Sequence, residues 1–275
     1  MMLAAFLAAM TIYSVDAQQV DSSQSAPTSR EDEKTGIALV LIHGGTFQMG
    51  SQDGQEFGAP PKQVTVESFW IGTTEVTVGQ FRRFVAATSY RTDGETKGRP
   101  DSWRTASKDK PDDTPVVHVS WNDATAFCQW AGMRLPSQAE WEFAAGGGAS
   151  HQRWAGTDRE EELGQYAWYG DYSEATARPV SGKKPNRFGL YDMSGNAWEW
   201  CGGNLKGGDR PVRGGCYRSI PQFTRVDCVN GGFQSSHDEY IGFRVASDHK
   251  SDEKEVEQGT DVVHEPRSGS RAPQP

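Results

Sequence analysis

Apolar side chains recur at helical spacing in three places along the chain, each directly after a residue suited to capping a helix. In each place a hydroxyl residue is followed three positions later by a side chain that can bond back to it: Thr77 with Gln80, Ser120 with Asp123, and Ser137 with Glu140. Such a pair is typical of a helix N-terminus. We therefore predict three helices, the second ending at Gly132 and the third ending at the glycine run 146–148.

The rest of the central region alternates between short apolar runs and turn-forming residues. Runs with strand-like patterns cover residues 38–42, 63–71, 210–217 and 241–246. Few elements are long, and no internal repeat is visible. The pattern predicts one irregular α+β domain with little regular secondary structure over residues 36–246.

The two flanks differ from this region. Residues 1–17 combine an apolar run with a small-x-small ending at Ala17, which is typical of a secretory signal peptide, although no basic residue precedes the run. We expect residues 18–35 to be a disordered linker and residues 247–275 to be a disordered acidic, Pro- and Ser-rich tail. The apolar run is too short for a stable membrane span. These features predict a periplasmic or extracellular protein.

Composition narrows the possible partners. The formal net charge is −9, and a nucleic-acid-binding face needs clustered positive charge, so we expect no nucleic-acid partner. The chain has 31 glycines and 9 tryptophans, which suits a loop-rich domain whose core contains large aromatic side chains.

One segment carries most of the information about family. Residues 186–200 read Asn-Arg-Phe-Gly-Leu-Tyr-Asp-Met-Ser-Gly-Asn-Ala-Trp-Glu-Trp. This segment resembles the central signature of the sulfatase-modifying-factor family, whose founding member is the formylglycine-generating enzyme. Further segments resemble the family in the family's own order: residues 44–51, 74–81, 115–124, 133–142, 213–217 and 242–246. The resemblance implies a variant of the C-type lectin fold, in agreement with the irregular α+β pattern.

The resemblance also implies a chemistry, and this chain departs from it. The family's enzymes bind copper(I) with two cysteines and use oxygen to oxidise a sulfatase cysteine to an aldehyde. The first cysteine position falls on Ser219, and the second falls on Phe223 or Thr224, depending on a one-residue gap. Copper(I) is a soft ion that prefers thiolate ligands, so we expect no copper here. The catalytic residues, if any, stay unknown.

The four cysteines, Cys128, Cys201, Cys216 and Cys228, do not reproduce the family's pairs. Cys128 and Cys228 match family disulfide positions, but the partner positions fall on Val245 and Ala145. We expect Cys128 to be a buried, inert thiol. A disulfide among the other three is an open alternative in an exported protein, as is a displaced copper site at Cys216 and Cys228.

A structural calcium ion is the second property that the resemblance implies. Its ligands would be two side-chain carboxylates and two backbone carbonyls, at Asp192, Gly195, Ala197 and Glu199. Such hard oxygen ligands suit calcium. The alternative is a turn held by hydrogen bonds alone, with Glu199 paired to an arginine.

These observations predict an exported protein of this family without copper-dependent oxidase activity, acting as a binding or accessory module for a peptide or protein ligand. A formylglycine-generating oxidase and a cysteine-independent periplasmic tailoring enzyme on the same scaffold are the alternatives, so whether the chain is an enzyme stays open. Candidate residues for a binding groove are Trp198, Cys216, Ser219 and Arg225.

Overall fold

The computed structural model describes residues 27–52, 60–171 and 176–249. Within these residues it contains ten short strands and five α-helices. The strands are β1 (Ser29–Asp32), β2 (Ile37–Ile42), β3 (Gly45–Met49), β4 (Lys62–Val66), β5 (Phe69–Gly72), β6 (Trp198–Trp200), β7 (Arg210–Arg213), β8 (Val229–Gly232), β9 (Ile241–Phe243) and β10 (Ala246–Asp248). The helices are α1 (Val78–Thr88), α2 (Asp93–Thr96), α3 (Trp103–Ala106), α4 (Trp121–Ala131) and α5 (Gln138–Ala145).

The three predicted helices are present as α1, α4 and α5, and each begins at the predicted cap. The side chains of Thr77, Ser120 and Ser137 accept hydrogen bonds from the backbone N–H three residues later. Helix α4 ends at Gly132, whose φ of +72° is the left-handed conformation that favours glycine. The capping pattern therefore located these helices correctly.

The strands form three sheets. Their orders are β1-β2-β5-β10, β3-β4 and β8-β7-β6-β9, and all pairs are antiparallel except β6 with β9. The parallel β6–β9 pair brings two informative segments side by side, because β6 carries the Trp-Glu-Trp run and β9 leads directly to Arg244.

Two aromatic-rich clusters make the core between these elements. In one, Phe81 and Phe127 of α1 and α4 pack with Phe243 of β9, with ring centroids 5.4 to 6.4 Å apart. In the other, Trp141 of α5 packs near Met193 and Cys201. Both clusters therefore contact the segment that contains β6.

Three predicted strands need correction. The strand predicted over residues 63–71 is two strands, β4 and β5, which belong to different sheets. The strand over 210–217 ends at Arg213, and the strand over 241–246 is divided into β9 and β10.

The predicted linker and the predicted tail both include residues that belong to the folded domain. Part of the predicted linker 18–35 forms β1, which pairs with β2, and residues 247 and 248 of the predicted tail belong to β10. Backbone pairing with strands inside the domain orders these polar residues, which composition alone does not reveal. The predicted signal peptide 1–17 and most of the tail lie outside the described residues. Among the helices of the described part, none is long and apolar enough to cross a membrane.

Candidate functional site

Residues 192–197 form a tight turn that leads into β6. Asp192, Gly195 and Asn196 have φ angles of +58°, +82° and +61°. At Gly195 a side chain is also excluded by space, because a Cβ there would lie 2.0 Å from the carbonyl oxygen of Trp168. The backbone N–H of Asn196 donates to that same oxygen at 2.9 Å. The turn is therefore fixed against a neighbouring loop, and the side chains after it have defined positions.

Glu199 forms a buried ion pair with Arg244. Both side chains have no exposed surface, and two nitrogens of the guanidinium donate to the two carboxylate oxygens of Glu199, each at 2.7 Å. The indole N–H of Trp141 donates to one of the same oxygens at 2.7 Å. The arginine that pairs with Glu199 is therefore Arg244.

Two further carboxylates lie next to this pair, and each has one unpartnered oxygen. Glu75 accepts a hydrogen bond from the side-chain amide of Asn196 at 3.0 Å, and Asp192 accepts one from the backbone N–H of Ser181 at 2.8 Å. The other oxygens, Oε2 of Glu75 and Oδ1 of Asp192, are buried and have no hydrogen-bond partner in the described part of the chain. Burial, followed by the negative charges of Asp192 and Glu199, raises the pKa of Glu75 well above its usual value. Burial also raises the pKa of Asp192 to about 6.

This arrangement partly fits the calcium ion that the family resemblance implies. Asp192 offers one hard oxygen without a hydrogen-bond partner in the described residues, whereas the oxygens of Glu199 already receive three hydrogen bonds. The residues that the structure describes contain no group of three or more His, Cys, Asp and Glu side chains suited to a metal ion. A cation here would therefore depend on fewer carboxylates together with backbone or water oxygens.

The second candidate region surrounds Ser219, the residue on which the sequence resemblance places the family's first cysteine position. Its hydroxyl accepts a hydrogen bond from the backbone N–H of Cys216 at 2.9 Å and lies 3.5 Å from the Cys216 thiol. Trp198 and Cys216 belong to the same buried cluster, and Ser219 itself is buried. The structure thus brings Cys216 and Ser219 into contact and places Trp198 in the same large buried cluster as Cys216.

The fourth groove candidate, Arg225, is engaged in an ion pair. Its guanidinium donates two hydrogen bonds to Asp227 and one to Ser51, all at 2.9 Å. These bonds anchor the segment after Thr224 to the chain just beyond β3. Arg225 therefore has a structural role that the sequence did not indicate.

The two positions that could match the second cysteine are equally unsuited to hold copper(I). Thr224 is fully buried, and its hydroxyl donates to the carbonyl oxygen of Pro221 at 2.9 Å. Phe223 carries an aromatic side chain that packs against the core. A hydroxyl and a phenyl ring do not replace a thiolate as copper(I) ligands.

All four cysteines are buried free thiols. Their pKa values are raised chiefly by burial, to about 12 for Cys228 and above the usual value for the other three. The open alternative of a disulfide among Cys201, Cys216 and Cys228 is therefore wrong for this structure. The prediction of a buried thiol at Cys128 is confirmed.

Sequence reasoning missed two residues of these regions and one property of a third. Glu75 and Arg244 lie in segments that resemble the family, but nothing in the sequence indicates that they lie near Glu199, because their contacts span the chain. Tyr217 is buried, and its hydroxyl has no hydrogen-bond partner in the part that the structure describes. Only the spatial arrangement reveals these groups.

Comparison with known proteins settles the family. Residues 24–249 match the model of the sulfatase-modifying factor enzyme 1-like domain. This chain belongs to that family, and its irregular α+β fold is of the C-type lectin type found in the family.

The relatives include both active and inactive proteins. The chain is 31% identical to the formylglycine-generating enzyme of Streptomyces coelicolor, over 82% of this chain and 94% of that protein. It is 32% identical to the inactive C-alpha-formylglycine-generating enzyme 2 of Bos taurus, over 77% of this chain and 88% of that protein. The solved structure of PvdO from Pseudomonas aeruginosa matches with a TM-score of 0.68 and 25% identity, over 82% of this chain and 99% of PvdO.

Proposed function

We propose that this chain is an exported member of the family that has lost the copper-dependent oxidation of a sulfatase cysteine. In this proposal it acts as a binding or accessory module for a peptide or protein ligand. The observation that carries the proposal is the pair of replaced ligands: Ser219 stands at one cysteine position, and Phe223 or Thr224 stands at the other. The family's relatives include proteins named inactive, so loss of activity on this scaffold has a counterpart.

The chemistry of the remaining thiols supports the same conclusion. A cysteine binds a metal as the thiolate. Burial raises the pKa of Cys216 above its usual value and that of Cys228 to about 12, so burial disfavours the thiolate form of both. Neither thiol lies at a family ligand position, and we propose that neither holds copper.

A copper(I) competition assay tests this proposal. The wild-type protein, with all thiols reduced, is titrated against a chromophoric copper(I) chelator. We expect the wild type to leave the chelator complex intact. Two double variants introduce the missing ligand pair: Ser219→Cys with Thr224→Cys, and Ser219→Cys with Phe223→Cys.

The expected result is copper(I) capture by one of the two double variants and by neither the single variant Ser219→Cys nor the wild type. Capture by the wild type would contradict the proposal. Its loss in Cys216→Ser or Cys228→Ser would then identify the unconventional ligand.

We propose that the ligand binds at the region around Ser219. Ile220 follows Ser219 directly and is 43% exposed, although large apolar side chains are otherwise mostly buried. Arg218 lies beside it and donates to the hydroxyl of Tyr240 at 2.8 Å. Glu239 pairs with Arg218 at 3.8 Å, so the apolar side chain beside this charged and aromatic group suits a peptide with mixed apolar and charged character.

Export is proposed from the N-terminal sequence alone. We expect cleavage after Ala17 when the full chain is produced in a bacterium with a secretory pathway. Intact mass and N-terminal sequencing of the periplasmic fraction would check this. An uncleaved chain confined to the cytoplasm would contradict it.

A further inference from the structure

Strand β8 contains the single Asn-Gly pair of the chain, Asn230 followed by Gly231. The strand lies at the edge of the sheet β8-β7-β6-β9, and both residues of the pair are exposed. An edge strand presents backbone groups that no neighbouring strand pairs. Solvent therefore reaches the side chain of Asn230 and the backbone that follows it.

The backbone N–H of Gly231 is not held by the ladder between β7 and β8. Gly231 lies opposite Pro211, which has no N–H, and the carbonyl oxygen of Pro211 accepts from the backbone N–H of Cys201 at 2.9 Å. Pro211 thus directs its hydrogen bonding towards β6. Because the direction of hydrogen bonding alternates along an antiparallel pair, the backbone groups of Gly231 point away from β7.

The side chain of Asn230 is hydrogen-bonded to this outward N–H. The nitrogen of Gly231 donates to Oδ1 of Asn230 at 2.8 Å. Oδ1 is joined to Cγ by a bond of about 1.2 Å, so the nitrogen lies within about 4 Å of that carbonyl carbon. The torsion χ2 of asparagine has broad minima, so a modest rotation turns Cγ towards the nitrogen. Gly231 has no Cβ that would shield the approach.

We propose that Asn230 is a site of spontaneous deamidation, with the backbone nitrogen of Gly231 as the nucleophile. The nitrogen gives its proton to a solvent base and forms a bond to Cγ, while the bond from Cγ to the side-chain nitrogen breaks. That nitrogen takes up a proton and leaves as ammonia, which closes a five-membered succinimide ring. Water then opens the ring at either carbonyl and yields aspartate or isoaspartate. Water is the only co-reactant.

The two products affect β8 differently. Both add a negative charge at an exposed position. Aspartate keeps the length of the backbone, whereas isoaspartate inserts one methylene group between Asn230, which lies opposite Val212, and Gly232, which lies opposite Arg210. Isoaspartate therefore disturbs the register of the edge strand, and aspartate does not.

Deamidation is measured on the full-length folded protein, kept in slightly alkaline buffer at body temperature, by mass spectrometry of peptides from timed samples. The peptide that contains Asn230 is expected to gain the mass difference between water and ammonia and to separate into two products. Asn204 is the internal control, because it is also exposed but is followed by Leu205, whose side chain hinders the attack. We expect conversion at Asn204 to be at least about tenfold slower, since the rate depends on the approach of the two atoms.

The deciding variant is Asn230→Gln. It keeps the amide at an exposed position, but its longer side chain would require a six-membered ring, so we expect deamidation there to be at least about tenfold slower. Tryptophan fluorescence monitors folding during the incubation. An unchanged mass at Asn230 over several weeks would overturn the proposal. Equal rates at Asn230 and Asn204, or in the wild type and Asn230→Gln, would also overturn it.

Discussion

Glu199 connects three parts of the buried core through the hydrogen bonds of its carboxylate. Its carboxylate joins β6 to Arg244 after β9 and to Trp141 of α5. Because all three side chains are buried, water cannot replace a lost partner. A residue in the most recognisable segment of the chain is therefore part of the packed core.

Replacing Glu199 by Gln is expected to lower the free energy of unfolding by about 3 to 5 kcal/mol, because the charge of Arg244 is left buried without its partner. The measurement is urea-induced unfolding followed by tryptophan fluorescence. Arg82→Ala is the control, since Arg82 pairs with Asp112 on the surface and its loss should cost less than about 1 kcal/mol. Equal effects of the two substitutions would contradict the stabilising role of the buried pair.

The burial of His118 makes the free energy of unfolding depend on pH. Burial lowers the pKa of His118 below its usual value, although Asp101 and Asp238 act in the opposite direction. As the pH falls through about 6.5, the unfolded chain takes up a proton at this residue before the folded chain does. The free energy of unfolding should therefore decrease below that pH.

The substitution His118→Asn removes this contribution, and asparagine tolerates the φ of +56° found there. We expect urea midpoints of the variant to change less between pH 7 and pH 5 than those of the wild type. The exposed His43, replaced by Asn, is the control and should keep the wild-type profile. An unchanged profile in His118→Asn would show that other groups govern this range.

The number of free thiols can be measured directly. Because all four thiols are free and buried, none should react rapidly with Ellman's reagent in the folded protein, and four should react after unfolding without a reductant. Fewer than four after unfolding would reveal a disulfide. Fast reaction in the folded state would contradict the burial of these side chains.

At the scale of elements, the three longer helices were predicted, the four-residue helices α2 and α3 were not, and the strands were predicted only in part. Each helix start is encoded locally, since a capping residue and its partner lie three positions apart, as at Thr77 and Gln80. The strands depend on distant pairing: β9 and β10 are three residues each and belong to different sheets. A continuous apolar run therefore predicted one strand where the fold makes two.

The turn at Gly195 provides a prediction at this scale. Gly195→Ala should destabilise the protein more than Gly98→Ala, although both glycines have positive φ angles. Left-handed strain costs about 1 to 2 kcal/mol in each case. At Gly195 the contact with the Trp168 carbonyl adds about 1 to 3 kcal/mol, whereas nothing lies within 4 Å of the added carbon at Gly98. Thermal unfolding of both variants measures the difference, and equal losses would contradict the close approach.

For the whole molecule, the family and fold class could be predicted from ordered sequence segments, because the turn at residues 192–197 and the cap residues are local signals. The sequence also placed the family's two cysteine positions on Ser219 and on Phe223 or Thr224, and this assignment stays a prediction. The partners of Glu199 were not, since Arg244 lies 45 residues away and Trp141 lies 58 residues away along the chain. Buried charge compensation is a property of the assembled core, and only the structure shows that Glu75 takes part in it.

We propose that the whole fold is retained here without the family's oxidation chemistry. The decisive measurement is mass spectrometry of a Cys-x-Pro-x-Arg peptide after incubation with the protein, copper(I) and oxygen, beside an active formylglycine-generating enzyme. We expect the control enzyme to convert the cysteine to the aldehyde and this protein to leave the peptide mass unchanged. Conversion by this protein would contradict the proposed loss of activity and would direct attention to Cys216 and Cys228.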